Sequence, residues 1–360
     1  MTMTATATER PPRTPRPTIS TTEYAQVLKE VQRQGLLERR YGYYAIKTAL
    51  LMLALAGVWV AFSFIGAHWA QLGIAVALAV VVTQVIFLGH DAAHKQVFKS
   101  RKANDRLAMA LSTLVAGISL SWWNQKHSKH HATPNQIDKD PDIEPSIVHF
   151  YTAEKPIRSR IALAMHARQG WWFFPILVVE SLNLQVQSLI WLISKVRTGK
   201  HRVELGLMLA RIIALPAALF VFLPAGMATL FFLVHTATIG VYLGASFAVS
   251  HVGMPVIPAT EKMSFFDRQV RSSRNVLGGR IASGFMGGLN FQIEHHLFPS
   301  MPRPNLRKAV PIIREHCAAQ GVKYHEVPIY TAWSIVVKHL NRVGMAGRDL
   351  YGCPTASVLR

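Results

Sequence analysis

The histidines of this sequence are grouped at spacings that place several imidazoles on one face of a helix. Two lie four residues apart in the segment HDAAH, three occur in HSKHH, and two follow a glutamine in QIEHH. Residues at i, i+3 and i+4 share a helical face, and imidazole is a ligand suited to iron, zinc and copper. With a further histidine after the last apolar segment, the candidate metal ligands are His90, His94, His127, His130, His131, His251, Gln292, His295 and His296.

Eight histidines and one glutamine exceed what a single metal ion can bind, so their number predicts a dinuclear site. A carboxylate-bridged di-iron bundle would carry Glu-x-x-His motifs, and the sequence lacks that pattern. Because neutral imidazoles leave the metal charge uncompensated, we expect nearby carboxylates to orient the ligands. Asp91 and Glu294, which lie inside two of the motifs, are the candidates for this role. Asp138, Asp140 and Asp142 are interpreted as a solvated acidic turn.

The composition indicates that these motifs belong to a membrane protein. The 360 residues are 50% hydrophobic and only 16% charged, yet the formal net charge is +20. A basic balance is also typical of nucleic-acid-binding proteins, but long apolar segments exclude that class here and predict no nucleic-acid partner. Two cysteines, Cys317 and Cys353, are too few for a disulfide framework or a cysteine metal site.

Four segments are long and apolar enough to span a bilayer, which takes about 20 residues. They are the segments at about 46–65, 70–89, 205–223 and 227–249. They pair into two hairpins whose short connections contain no Lys or Arg, whereas the other connections are strongly basic. Since positive charge stays in the cytoplasm, we expect both termini and the metal site on the cytoplasmic side of the plasma membrane.

Two further apolar stretches are interpreted differently. Residues 107–121 are short and rich in Ser and Gly, which favours a re-entrant or interfacial helix, and 171–193 fit an amphipathic helix on the cytoplasmic leaflet. If either stretch crossed the membrane, the other would have to cross too, or the second hairpin would invert. The predicted fold is therefore an all-α membrane protein with four transmembrane helices and a cytoplasmic helical cap that holds the dinuclear site. Residues 1–20 and 346–360 are expected to be tails around a catalytic domain at 21–345.

HDAAH, HSKHH and QIEHH, in this order around two hairpins, resemble the membrane fatty acid desaturase family. The glutamine of the third motif and the run GGLNFQIEHHLFPSMPRPNL resemble its acyl-lipid and front-end branch. The resemblance covers roughly residues 22–330. It implies a non-haem centre of two Fe ions, which uses O2 and two electrons to remove two hydrogens from adjacent acyl methylenes.

The resemblance also implies roles for individual residues. The box histidines match the family's iron ligands, and His251 matches its additional histidine after the last span. Gln292 occupies a ligand position and binds iron either directly or through a water. Trp122, Trp123 and Asn124 either line the acyl tunnel or belong to the core.

The expected partners are a fatty acyl substrate, carried on lipid, CoA or acyl-carrier protein, and an electron donor. The sequence contains neither the HPGG haem motif of fused cytochrome b5 domains nor a flavin or nicotinamide fingerprint. We therefore expect a separate donor, such as a ferredoxin or a flavin/iron–sulfur reductase.

Two other functions are weighed against desaturation. A membrane hydroxylase or ketolase could use a similar metal site. A histidine-rich metal transporter would place its ligands in the middle of the spans, where this sequence has only His235. That residue is interpreted as a neutral histidine bonded to a neighbouring helix, and Arg211 as a snorkelling side chain.

Overall fold

The computed structural model of the protein describes residues 22–152, 159–196, 199 and 201–346. Most of these residues are helical, as the sequence predicts. The predicted N-terminal tail and nearly all of the C-terminal tail lie outside the described residues, as does Cys353.

Most of the helices follow one another with short connections, and the longest connection lies between α5 and α6. In chain order they are α1 Thr22–Arg33, α2 Tyr41–Ile65, α3 Gln71–Ala93, α4 Arg101–Ala108 continued by a π-helical segment Met109–Val115, α5 Leu120–Ala132, α6 Arg160–His166, α7 Gln169–Ile176 continued by a 3₁₀ turn Leu177–Val179, α8 Glu180–Val196, α9 Arg202–Phe222, α10 Ala225–His251, α11 Phe265–Arg271, α12 Gly279–Phe285, α13 Gln292–Leu297, α14 Arg303–Ala319 and α15 Ile329–Ala346.

A small parallel sheet accompanies the helices, which the all-α prediction did not include. β1 (Asn275–Leu277) pairs with β2 (Glu326–Pro328) in the register Asn275 to Glu326. β1 precedes α13 and α14 in the sequence and β2 follows them. Their pairing therefore brings together the two ends of the segment that carries QIEHH.

The four segments predicted to span the membrane form α2, α3, α9 and α10, each long and apolar enough to cross a bilayer. The helical stretch Gln169–Val196 also meets that criterion, although its sequence predicted an interfacial helix. The pair Arg101–Val115 and Leu120–Ala132 is bent by 111° and forms either a broken span or a re-entrant loop. By length and composition the described residues therefore contain five candidate spans, or six if the bent pair is one of them.

α3 and α10 form the centre of the apolar bundle. Leu78 and Val82 of α3 are buried in one core with Leu219 of α9 and Phe231 of α10. Gly240 lets the 3₁₀ turn approach α10 closely, since a Cβ at this position would lie 2.1 Å from the carbonyl oxygen of Leu177. Small residues at such contacts are what permit helices to pack inside membranes.

A second core lies in the polar part of the chain. Val31 of α1, Phe266 of α11, Ile293 of α13 and Ile313 of α14 are all fully buried there. α13 therefore has a rigid apolar support on the face away from its histidines. α1 ends at Arg33, because the chain turns at Gly35, whose φ is 64°.

Hydrogen bonds to a buried carboxylate anchor the start of α5. The hydroxyl of Ser119 accepts from the amide of Trp122, which caps the helix, and donates to Glu204 at 2.7 Å. The amide of Ser121 also donates to Glu204, at 2.8 Å. Glu204 is only 2% exposed, so this helix start is fixed to α9.

The packing of α15 against the last turn of α6 leads to a stability prediction. A Cβ on Gly344 would lie 1.7 Å from the carbonyl oxygen of His166. Gly344→Ala should therefore destabilise the protein by about 1–3 kcal/mol, as overpacking of a well-packed contact does. The measurement is the apparent Tm of the purified protein in detergent.

Gly57→Ala is the matched control, because a Cβ at Gly57 meets no atom within 4 Å. It should leave Tm unchanged or raise it slightly, since alanine favours helix. Equal Tm values for Gly344→Ala and wild type would contradict the packing described here.

Candidate metal centre

Four helices bring the candidate ligands together. His90 lies in the last turn of α3 and His94 caps that helix, while HSKHH forms the C-terminal half of α5. His251 is the last residue of α10, and QIEHH forms α13. Each motif is helical, so the predicted spacing does place its imidazoles on one side of its helix.

Four of these histidines form a first group, which we call group 1. His90, His94, His127 and His295 each offer a ring nitrogen within 4.8 Å of the others. The Nε2 of His127 lies 2.9 Å from that of His94 and 3.2 Å from that of His90. Several imidazole nitrogens this close have their lone pairs directed at one small volume, which a shared cation would occupy favourably.

Three other histidines form group 2. His130, His251 and His296 also offer ring nitrogens within 4.8 Å of one another. The side-chain amide nitrogen of Gln292 lies 2.8 Å from Nε2 of His251, so the glutamine is part of this group. The amide oxygen of Gln292 is buried without a hydrogen-bond partner among the described residues.

His131 lies between the two groups. Its Nε2 is 3.0 Å from Nε2 of His127, in group 1. Its ring stacks on that of His296, in group 2, with the centroids 4.2 Å apart. The nine predicted ligands therefore form one continuous cluster with two centres, as a dinuclear site requires.

Polar groups behind the ligands of group 2 fix how the rings point. Nδ1 of His296 donates to the side-chain oxygen of Gln269 at 2.9 Å, and Nδ1 of His251 donates to the carbonyl of Ser272 at 2.9 Å. Nδ1 of His130 donates to the carboxylate of Asp140 at 3.0 Å. Each of these bonds holds the proton on Nδ1, so Nε2 carries the lone pair that could bind a metal. In His251 this lone pair faces the side-chain amide nitrogen of Gln292.

Asp140 is therefore not part of a solvated turn, as its sequence context suggested. It is 3% exposed, and it also accepts from the backbone amides of Asn135 and Asp142, at 2.7 and 2.9 Å. Asp142 pairs with Lys126 of α5 at 2.7 Å. The acidic turn is folded under HSKHH and supports it.

Asp91 and Glu294, the two carboxylates predicted to orient ligands, have other partners. Asp91 forms an ion pair with Arg303 at 2.7 Å, and its nearer oxygen is 3.9 Å from Nδ1 of His90, which is too long for a hydrogen bond. Glu294 accepts from Asn275 and Tyr324, each at 2.7 Å, and burial raises the pKa of its carboxyl to about 7. The Asp91 carboxylate therefore ties α3 to α14, and the Glu294 carboxylate ties α13 to Asn275 of β1 and to Tyr324.

The charge state of the cluster fits a bound cation. Burial, with the neighbouring imidazoles, holds the pKa of His295 and of His296 well below the ordinary histidine value. Both are therefore neutral, the form that binds metals. Nε2 of each is buried without a hydrogen-bond partner among the described residues. A set of neutral imidazoles suits iron, zinc or copper and not the oxygen-preferring Mg²⁺ or Ca²⁺.

The other residues considered from the sequence occupy different positions. Trp123 stacks on His127 with the centroids 4.1 Å apart, so it covers the metal centre, and Trp122 lies under Lys126. The Nε of Arg211 donates to the carbonyl of Val115 at 2.6 Å, so this side chain lies against the end of the π-helical segment. Gln269 was missed, because no spacing in the sequence connects it with the motifs that it contacts.

Comparison with known proteins confirms the resemblance. A sequence model of the fatty acid desaturase family matches residues 67–328. Delta(8)-fatty-acid desaturase 2 of Arabidopsis thaliana is 26% identical over 348 residues, which cover 91% of this chain and 76% of that protein. Acyl-lipid (9-3)-desaturase of Physcomitrium patens is 31% identical over 288 residues, which cover 78% of this chain and 54% of that protein.

A mouse relative, fatty acid desaturase 2-like protein FADS2B, is 26% identical over 338 residues, which cover 91% of this chain and 68% of that protein. These relatives favour desaturation over the hydroxylase and transporter alternatives. The chain is therefore a membrane protein of the fatty acid desaturase family, an oxidoreductase that acts on fatty acids.

Proposed function

We propose that the protein introduces a double bond into an acyl chain at a centre of two iron ions. The observation that carries this proposal is the division of the buried ligands into two groups joined by His131. Group 1 (His90, His94, His127 and His295) would hold one ion. Group 2 (His130, His251 and His296) would hold the other, with Gln292 bound to it directly or through a water.

Bound there, the two iron ions would supply the oxidation of adjacent methylenes, with O2 reduced to two waters by the two substrate hydrogens, two external electrons and two protons from solvent. The protein residues orient the ligands and exclude water. Gln269, Ser272 and Asp140 keep the Nδ1 protons of His296, His251 and His130 in place, so that the Nε2 atoms of these three rings carry the lone pairs. Trp123, stacked on His127, helps exclude water from the ligands.

We propose four membrane crossings, with the metal centre on the cytoplasmic face of the plasma membrane. α3 and α10 both end at the histidine cluster. α4 begins soon after α3, and α5 ends in the same cluster, so the bent pair α4–α5 returns to the side from which it started. α9 and α10 form a hairpin of two crossings. Because α10 ends at the histidine cluster, α9 must begin on the same side of the membrane as the cluster. The stretch Gln169–Val196 therefore cannot be a single additional crossing, and basic loops favour a cytoplasmic location.

The substrate we propose is an acyl chain carried on membrane lipid, with CoA and acyl-carrier protein as the other carriers. The printed name of the relative from Physcomitrium patens supports the lipid. We assign the reaction to a catalytic domain at 21–345 and propose a separate electron donor, a ferredoxin or a flavin/iron–sulfur reductase.

Expression in a host that lacks desaturases tests the function. Mass spectrometry of total fatty acids should reveal new double bonds, and a short labelling pulse should place them first in phospholipid. If the new double bonds appear first in the CoA or acyl-carrier-protein pool, the substrate is carried on that group instead of on membrane lipid. Hydroxylated chains without double bonds would contradict the proposed reaction.

Alanine at His127, His130 or His296 should lower activity by more than ~100-fold, because even groups behind metal ligands are worth ~10–100-fold. His68→Ala is the control, since His68 is exposed in the loop between α2 and α3. All four variants should remain in the membrane fraction. Retained turnover in any of the three ligand variants would refute its assignment.

Gln269 is proposed as a positioning residue that links HSKHH with QIEHH. It accepts from His296 and donates to the carbonyl of His131, both at 2.9 Å. Gln269→Leu should weaken iron binding by ~10–100-fold, measured as iron per chain after dialysis against a graded chelator. Gln269→Glu keeps an acceptor for His296 and should retain more iron. Equal iron retention by wild type and the leucine variant would exclude this role.

Cysteine labelling tests the topology in a background with Cys317→Ala and Cys353→Ser. Ala67→Cys lies in the α2–α3 loop, and Glu144→Cys is exposed between α5 and α6. With four crossings, an impermeant maleimide should label Ala67→Cys in intact cells and Glu144→Cys only after permeabilisation. Labelling of Glu144→Cys in intact cells would mean that the bent pair crosses the membrane.

A further inference from the structure

A cavity of about 240 Å³ lies among α8, α9 and α10, within the apolar bundle. Most of its wall is aliphatic or aromatic, from residues such as Leu182, Leu215 and Phe232. Three longer polar side chains also line it, those of Gln185, Arg211 and His235. An apolar cavity with a few convergent polar groups is the usual form of a ligand site.

Arg211 contributes a positive charge that is only partly compensated. Its Nε donates to the carbonyl of Val115 at 2.6 Å, at the end of the π-helical segment, where the helix dipole is negative. No carboxylate of the described residues forms an ion pair with it. A guanidinium has five N–H donors, so four remain after this bond. A charged residue at membrane depth is costly and normally pairs with an opposite charge or with backbone carbonyls, and the carbonyl of Val115 satisfies only one of the donors of Arg211.

His235 is a second unpartnered polar group at the same cavity. The residue is 1% exposed, and neither ring nitrogen has a hydrogen-bond partner among the described residues. The ring lies against the backbone of Ala75 in α3, a neighbouring helix as the sequence predicted, but neither ring nitrogen reaches full hydrogen-bond geometry there. Buried polar groups are nearly always hydrogen-bonded, so this imidazole indicates a missing partner.

The cavity is separate from the metal centre. His235 precedes His251 by sixteen residues on one continuous helix, α10, which corresponds to about 24 Å at 1.5 Å per residue. The residues of this cavity include none of the proposed iron ligands.

We propose that this cavity binds the anionic head of an amphiphile, a carboxylate or a phosphodiester, between Arg211 and His235. The hydrocarbon part lies against the aliphatic wall. A free fatty acid and an anionic phospholipid share this chemistry, so the experiment must separate them.

Binding is measured on the full chain in uncharged detergent, by native mass spectrometry and by the shift in apparent Tm. The probes are sodium oleate, its uncharged methyl ester, and a phosphatidylglycerol. Oleate, the phospholipid or both should bind wild type and raise its Tm, whereas methyl oleate should do neither. Binding of oleate alone identifies a fatty acid site, and binding of the phospholipid alone identifies a lipid headgroup site.

Arg211→Gln should weaken binding of the charged probe by about tenfold or more, because a charge-assisted hydrogen bond is lost. His235→Phe keeps Arg211 and fills the apolar space, and it should weaken binding less. Arg271→Gln, at an exposed site on α11, is the control and should bind as wild type does. Equal binding by Arg211→Gln and wild type, equal binding of methyl oleate, or no binding of any probe would overturn the proposal.

Discussion

The structure depends on the convergence of buried, neutral imidazoles. Their ring nitrogens lie within 4.8 Å of one another in each group, and burial removes the water that would otherwise satisfy those without a partner, such as Nε2 of His295 and His296. A bound cation would coordinate these nitrogens, so the metal and the fold would stabilise each other. α3, α5, α10 and α13 each contribute a helix end or a short helix, because a helix terminus can place its last residues beside those of other helices.

Paired polar contacts hold these elements in register. Arg303 at the start of α14 pairs with Asp91 in α3, which ties the QIEHH region to the HDAAH helix. Gln269 joins His131 to His296, and Glu204 fixes the start of α5. These groups are buried, so removing one partner would leave a charge or donor unsatisfied at a cost of about 1–3 kcal/mol or more. The apolar helices determine how deep in the membrane the site lies, and the buried polar pairs determine how the ligand-bearing helices are oriented relative to one another.

The sequence was sufficient to predict what depends on local spacing. Ligands at i, i+3 and i+4, such as His127, His130 and His131, could be recognised because a helix fixes their relative direction, and four of the apolar helices could be placed by length. Contacts between distant segments could not be predicted. Asp140 was assigned to solvent, Glu294 was assigned to an imidazole, and Gln269 was not considered, because each depends on which helix packs beside it. The β1–β2 pair was missed for the same reason, since each strand is only three residues long.

The central claim is that the cluster holds two iron ions, one in each group. Crystals or frozen particles of the purified protein, loaded with iron, would allow the metals to be located by anomalous scattering at the iron edge or by direct density. The account predicts two iron peaks, one surrounded by His90, His94, His127 and His295 and the other by His130, His251 and His296. A single metal peak shared by both groups, or zinc in place of iron at full activity, would contradict it.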